Sequence, residues 1–329
     1  MSTLALIHAA YGRIKPVVRK TPLLSSPFLD EIAGRKVLVK AECLQHTGSF
    51  KFRGAYSALS GLTDAQRTRG VIAFSSGNHA QGIALAAKMH GVSAVIIMPS
   101  DAPSLKIDNT RALGAEVVLY NRATQDRDML GNQLGAERGL TLVRPFDEPL
   151  VIAGQASVGI ELAAQCDHAE VDVLVPCGGG GLTSGVALAL SEARADWRVH
   201  PVEPKEFDDV SRSLKSGKRE VNTRLDGSIC DAIITPSPGK ITFPLLQTYG
   251  HAGLVVTEAE ALQAMALAFK NLKIVIEPGG AVALAAALFH GEVLRAETVI
   301  AVASGGNVDA AMFVRALELG SLGSTGLSG

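Results

Sequence analysis

Short runs rich in β-branched residues alternate along the chain with longer alanine-rich runs, and small residues stand at many of the junctions. Val37-Leu38-Val39-Lys40, Val71-Ile72-Ala73-Phe74, Ala94-Val95-Ile96-Ile97-Met98, 116–120, Val171-Asp172-Val173-Leu174-Val175 and 298–303 read as strands. Segments 52–62, 80–90, 104–113, 124–138, 153–166 and 182–193 read as helices. Strands separated by helices pair in parallel, because the crossover returns the chain to the same edge of the sheet. Parallel strands bury both faces, so helices must cover both. The expected fold class is therefore α/β. At roughly 100–200 residues per domain, a chain of 329 residues suggests two domains. No long Pro/Gly/Ser linker divides it, and no internal repeat is evident.

Composition excludes several classes. Hydrophobic residues make up 47% and charged residues 19%, which is globular rather than disordered or collagen-like. The 31 basic and 32 acidic residues leave a net charge of −1, so neither a nucleic-acid nor an anionic-membrane partner follows. The four cysteines, at 43, 166, 177 and 230, show no CxxC spacing. Few cysteines in a large chain fit a reducing cytosol, the expected location. The longest apolar run, 281–289, is far short of the ~20 residues a membrane helix needs. The first residues lack a basic region and a cleavage site, so no signal peptide is expected.

Ligands of parallel sheets bind at the carboxyl ends of strands, and four small-residue segments follow expected strands or lie close behind them. Thr47-Gly48-Ser49-Phe50-Lys51-Phe52-Arg53-Gly54 sets a lysine where a helix begins. The positive end of a helix lowers a lysine's pKa, and the neutral amine is the form that attacks an aldehyde. Taken alone, Lys51 reads as a surface lysine near a cap. Ser75-Ser76-Gly77-Asn78-His79 offers hydroxyls, an amide and backbone N–H groups to an anion such as a carboxylate. Alone, it is also an ordinary capped turn. Gly178-Gly179-Gly180-Gly181 lets backbone N–H groups wrap a phosphate ahead of a helix dipole. No Gly-Lys-Ser/Thr follows, so it is not a Walker loop. Ser304-Gly305-Gly306-Asn307 places a hydroxyl at a strand end beside glycines that admit a flat ring.

A dinucleotide fold is the alternative reading of the glycine run. Glu203 ends the next strand-like stretch, where a ribose-binding acid belongs. The fingerprint is imperfect, since Thr183 and Ser184 stand where its last glycine belongs.

Together, in this order, the four segments resemble the serine/threonine dehydratase and serine racemase family. Those enzymes use pyridoxal 5′-phosphate (PLP) and have fold type II, the tryptophan-synthase-β type. The resemblance runs from about Pro16 to Leu319 and includes Val151-Ile152-Ala153-Gly154-Gln155. It implies a large PLP-binding domain from 1–65 plus 148–319, a small domain from 66–147, a flexible tail from 320–329, and a homodimer. By the same resemblance, Lys51 forms the Schiff base and Phe50 flanks the ring. Asn78 bonds the 3′-oxygen, Gly178 to Gly181 hold the phosphate, and Ser304 faces the pyridine nitrogen. Ser75, Ser76, Gly77 and His79 bind the substrate carboxylate, with Ser76 a second catalytic residue on the face opposite Lys51.

The implied reaction is β-elimination. The substrate amine displaces Lys51, Lys51 removes the α-proton, the β-hydroxyl leaves, and a 2-oxo acid and ammonia result. An alcohol such as Ser304 cannot hold the ring nitrogen protonated as a carboxylate can. That disfavours a long-lived carbanion and favours prompt expulsion of the β-substituent. L-threonine or L-serine is the expected substrate. A 3-hydroxyaspartate dehydratase is the nearest rival, followed by a serine or aspartate racemase. A nicotinamide-dependent dehydrogenase and a non-catalytic metabolite-binding relative are the rivals from other classes.

Val202-Glu203-Pro204-Lys205-Glu206-Phe207-Asp208-Asp209 resembles the divalent-cation site of the serine racemase branch. This implies Glu203, the Phe207 carbonyl and Asp209 as ligands for Mg²⁺, Mn²⁺ or Ca²⁺, all suited by hard oxygen donors. Alone, the loop also reads as a solvated acidic surface. One departure concerns the substrate. After Asp231, which matches the family, Ala232 stands where glycine is usual.

Overall fold

A computed structural model describes residues 3–322, apart from Ser76, Pro103 and Arg122. The described strands form two sheets. The larger contains β1 (Leu23–Ser25), β2 (Lys36–Lys40), β7 (Asp172–Pro176), β8 (Arg198–Pro204), β9 (Leu254–Val256) and β10 (Thr298–Val302), in the order β1-β2-β10-β7-β8-β9. The smaller contains β3 (Val71–Phe74), β4 (Ala94–Pro99), β5 (Glu116–Tyr120) and β6 (Thr141–Leu142), in the order β5-β4-β3-β6. Every pairing is parallel except β1 with β2, which is antiparallel at the sheet edge.

Alternate strand residues feed separate cores. Leu174, Val299 and Ala301 join the cluster built around the Glu258–Leu272 and Pro278–Phe289 helices. Their neighbours Val173, Val175, Ile300 and Val302 join the cluster of the Ser157–Gln165 and Gly181–Ala193 helices on the other face. The smaller sheet does the same, with Ile96 and Met98 in one cluster and Val95 and Ile97 in another. Successive strand side chains point to opposite faces, so a continuous apolar strand needs cover on both.

Two of the differences from the expected boundaries have a clear packing or hydrogen-bonding cause. The helix expected over 153–166 is two, Pro149–Gln155 and Ser157–Gln165. The Ser157 hydroxyl donates to the Gly154 carbonyl at 2.6 Å, diverting an acceptor of the helix ladder at the junction. The expected tail starts later, because the Ala310–Leu322 helix runs through Gly320. A Cβ at Gly320 would lie 2.5 Å from the Ala266 Cβ, so this glycine allows the helix to pack closely. Residues 323–329 of that tail lie outside the described residues.

β10 lies between β2 and β7, so three of the four segments leave adjacent parallel strands at one edge of the larger sheet. The fourth follows β3 of the smaller sheet. The Ser49–Gly305 bridge and the Phe50 N–H, which donates to the Ser304 carbonyl at 3.0 Å, zip the loops after β2 and β10 together.

Candidate active site

Lys51 is the first residue of the Lys51–Ser60 helix. Its Nζ donates to the Pro145 carbonyl at 3.0 Å and lies 5.2 Å from the centre of the Phe50 ring. Among the described residues it has no ion-pair partner. Burial lowers its pKa to about 8, with the Glu277 charge opposing the shift. A neutral carbonyl partner leaves the ammonium uncompensated, which is how burial makes a lysine nucleophilic.

The residue after Pro145 links this lysine to the glycine run. A Cβ at Gly179 would lie 2.2 Å from Phe146 Cε2, and one at Gly181 would lie 2.9 Å from Phe146 Cα. Gly178 is closed off by the Ile233 carbonyl, 2.8 Å from its ideal Cβ. Gly180 has φ +90°, a left-handed conformation that side chains disfavour. The Thr242 hydroxyl donates to the Gly179 carbonyl at 2.6 Å, fixing the loop from outside. Asp147 accepts the backbone N–H groups of Lys240 and Ile241, at 2.9 and 2.7 Å, and so fixes the start of the Thr242–Tyr249 helix. The run thus supplies bare backbone at the start of the Gly181–Ala193 helix, which suits a phosphate.

Asn78 opens the Asn78–His90 helix. Its Nδ2 donates to Glu277 Oε1 at 2.6 Å, and its Oδ1 accepts from Asn307 Nδ2 at 2.7 Å. The Asn307 contact joins the segment after β3 to the loop after β10. Ser75 Oγ accepts from the Gly77 N–H at 3.1 Å. Ser76 lies outside the described residues. His79 is buried, and its Nε2 donates to the Val143 carbonyl at 3.1 Å. Burial, reinforced by the Lys51 charge, pushes its pKa down to about 3, so the ring is neutral. The structure therefore gives the His79 side chain a structural hydrogen bond.

Lys51, Phe50, Asn78, Ser304 and the glycine run are brought together. Pro145, Phe146, Thr242, Glu277 and Asn307 join them without having been assigned roles from sequence. A cavity of about 410 Å³ beside them is lined in part by Lys106, Asp231, Glu277 and Asn307. Lys106 Nζ lies 3.6 Å from Asp231 Oδ2 across it.

Beneath the lysine lies a buried ionic cluster. Arg53 Nε and Nη2 donate to Glu42 at 2.7 and 2.8 Å, and Arg53 Nη1 donates to Glu161 at 2.7 Å. Lys40 Nζ donates to the other Glu161 oxygen at 2.6 Å. Burial pushes the Glu42 carboxyl up, but the Arg53 guanidinium outweighs it and holds the carboxyl below its ordinary range.

The acidic loop lies elsewhere. Both Glu203 oxygens accept backbone N–H groups, from Val210 at 2.8 Å and Ser211 at 2.7 Å. Its carboxylate is committed to the start of the Asp209–Ser216 helix, which argues against a ribose-binding role. Asp209 Oδ1 accepts from Asn222 at 2.6 Å, while Oδ2 is buried with no hydrogen-bond partner among the described residues. Burial raises Asp209 to about 7, and burial with the Asp209 charge raises Glu203 well above its ordinary value. Phe207 is buried beside them, its N–H bonded to the Pro204 carbonyl. Among the described residues, no three His, Cys, Asp or Glu side chains converge as a metal site. Two buried carboxylates and an orphaned oxygen nevertheless fit a cation held partly by backbone.

The sequence matches the pyridoxal-phosphate dependent enzyme family over residues 14–305. The chain is 42% identical over 300 residues to L-threo-3-hydroxyaspartate ammonia-lyase of Saccharomyces cerevisiae, covering 91% of each. It is 39% identical to L-threonine ammonia-lyase of Thermotoga maritima, covering 97% of this chain and 79% of that one. The crystal structure of serine racemase from Dictyostelium discoideum matches with a TM-score of 0.87 and 35% identity, over 94% of this chain and 99% of that one. The bare glycine backbone fits the phosphate and the uncompensated Lys51 amine fits the aldehyde. On that match in sequence, fold and site chemistry, the chain belongs to the pyridoxal-phosphate dependent enzymes.

Proposed function

We propose that the protein is an ammonia-lyase that removes the β-hydroxyl of an amino acid such as L-threonine, L-serine or 3-hydroxyaspartate, releasing a 2-oxo acid and ammonia. The observation that carries this reading is the buried Lys51 amine, which among the described residues bonds a neutral carbonyl and no charged group, with its pKa lowered to about 8. The 3-hydroxyaspartate option draws on the 42% identity to an enzyme named for that substrate.

PLP, when bound, withdraws electrons from the substrate α-carbon and makes its proton removable. Lys51 would anchor the cofactor through Nζ, and its neutral amine would take up that proton. The backbone N–H groups of Gly178 to Gly181 would hold the phosphate, and Phe50 would flank the ring. Asn78 Nδ2 would donate to the ring's 3′-oxygen, and the Ser304 hydroxyl would serve the ring nitrogen. Ser75 and Gly77 hold the substrate carboxylate at the start of the Asn78–His90 helix. Ser76, outside the described residues, would be the second catalytic residue, acting on the substrate face away from Lys51. The larger sheet belongs to a cofactor domain (1–65 and 148–319) and the smaller to a domain (66–147) that covers the substrate. A divalent cation would be held by Glu203, the Phe207 carbonyl and Asp209, and would order the region beside the glycine run.

A panel of β-hydroxy amino acids tests the reaction, with ammonia and 2-oxo acid both quantified. Equal amounts of the two products are expected with wild type, and neither with Lys51→Ala. Conversion of a substrate to its enantiomer without ammonia would replace the lyase reading by a racemase.

A further inference from the structure

We infer that Glu277 and Asn307 are positioning residues that dictate which way the Asn78 carboxamide faces the cofactor ring. This rests on the reading above, in which Asn78 meets the ring's 3′-oxygen.

The chain of contacts begins at a backbone carbonyl and ends at a carboxylate. Asn307 Nδ2 donates to the Thr47 carbonyl at 2.8 Å and to Asn78 Oδ1 at 2.7 Å. Asn78 Nδ2 then donates to Glu277 Oε1 at 2.6 Å. Burial raises the Glu277 carboxyl to about 7, so above that pH it is ionised and, like a carbonyl, accepts but cannot donate. Turning the Asn307 amide over would set its oxygen against the Thr47 carbonyl. Turning Asn78 over would set its oxygen against Glu277. Both amides are therefore fixed by the chemistry at the two ends of the chain. The second N–H of Asn78 Nδ2 remains for the ring oxygen. A reversed Asn78 would present a carbonyl to that oxygen, and two acceptors would repel.

The surrounding backbone leaves room for this arrangement. A Cβ at Gly305 would lie 2.0 Å from Glu277 Oε1 and 3.1 Å from Asn78 Nδ2. A Cβ at Gly48 would lie 2.6 Å from Asn307 Oδ1. Thr47, whose carbonyl starts the chain, has φ 57° and ψ 18°, a conformation that is uncommon for a β-branched residue. Glu277 is only 5% exposed and has no ion-pair partner among the described residues. A buried carboxylate is costly, and the contact with Asn78 gives it a role.

The test uses Glu277→Gln, Asn307→Ala, Asn78→Ala and the Glu277→Gln, Asn78→Ala double variant. Gln keeps the shape of Glu but both donates and accepts, so it no longer dictates direction. Each apoprotein is titrated with PLP, and each holoprotein's near-visible band is followed against pH, with thermal melting as a check on folding. All three single variants should bind PLP about three- to tenfold more weakly, the scale of one hydrogen bond, and shift the midpoint of the band's titration. On the Asn78→Ala background, Glu277→Gln should add no further change. If Glu277→Gln and Asn307→Ala match wild type in both readouts while Asn78→Ala does not, the positioning role is wrong and the site reading stands. A change only in melting, or an equal effect of Glu277→Gln with and without Asn78, also overturns the inference. If Asn78→Ala itself matches wild type, the reading of Asn78 fails, and the inference with it.

Discussion

Lys51 sets the chemistry at the scale of the single residue. Its pKa of about 8 lies below the ordinary lysine value because burial penalises the ammonium. Only the neutral amine attacks the aldehyde of PLP, so protonation removes the nucleophile. As pH falls below about 8, the rate at which apoprotein captures PLP should fall about tenfold per unit, and above it the rate should level. Stopped-flow absorbance from pH 6 to 10 would show this; a flat rate from 6 to 8 would contradict the assigned environment. Lys51, Asn78 and Ser304 were legible in the sequence because each sits in a short string that carries chemistry. Glu277 and Asn307 gave weaker signals. Their contacts to Asn78 span 199 and 229 residues of sequence, and a lone Glu before a Pro carries no signature. Asn307 was visible in its motif, but only the fold shows that it reaches Asn78.

At the scale of elements, the glycine run and the Lys51–Ser60 helix do the positioning. The run was legible because four consecutive glycines have few purely structural uses. The Phe146 ring that packs on it was not, because it comes from 33 positions earlier in an ordinary-looking segment. Gly179→Ala would drive a methyl into that ring. Overpacking of this kind costs about 1–3 kcal/mol, and PLP titration of the variant should show at least a tenfold loss of affinity. The helix is held from below by the Arg53 cluster. Arg53→Met leaves the buried Glu42 and Glu161 charges without their main partner, a loss of about 3–5 kcal/mol. Urea unfolding measures it, and a change under 1 kcal/mol would show that water or Lys40 compensates. The cluster could not be read from sequence, since Lys40, Glu42, Arg53 and Glu161 look like ordinary charges until all four are seen buried.

The whole molecule follows from the alternation of strands and helices, which gave the parallel sheets and both covered faces. The pattern did not show the antiparallel edge strand β1 or the short β6 and β9, each too brief to carry a period. The proposed cation belongs to this scale, because the acidic loop borders the larger sheet rather than Lys51. On that proposal, EDTA should lower the melting temperature and activity together, and Mg²⁺, Mn²⁺ or Ca²⁺ should restore both. A Glu203→Ala, Asp209→Ala variant should ignore added metal, and chelation without effect on wild type would leave Glu203 as a helix cap alone. The central claim is that one lysine, brought by the fold to the glycine cradle, holds the cofactor. Borohydride reduction of the holoprotein followed by peptide mass mapping tests it most directly. The account predicts a single pyridoxyl addition, on the peptide containing Lys51, whereas an addition on another lysine, or none, would contradict it.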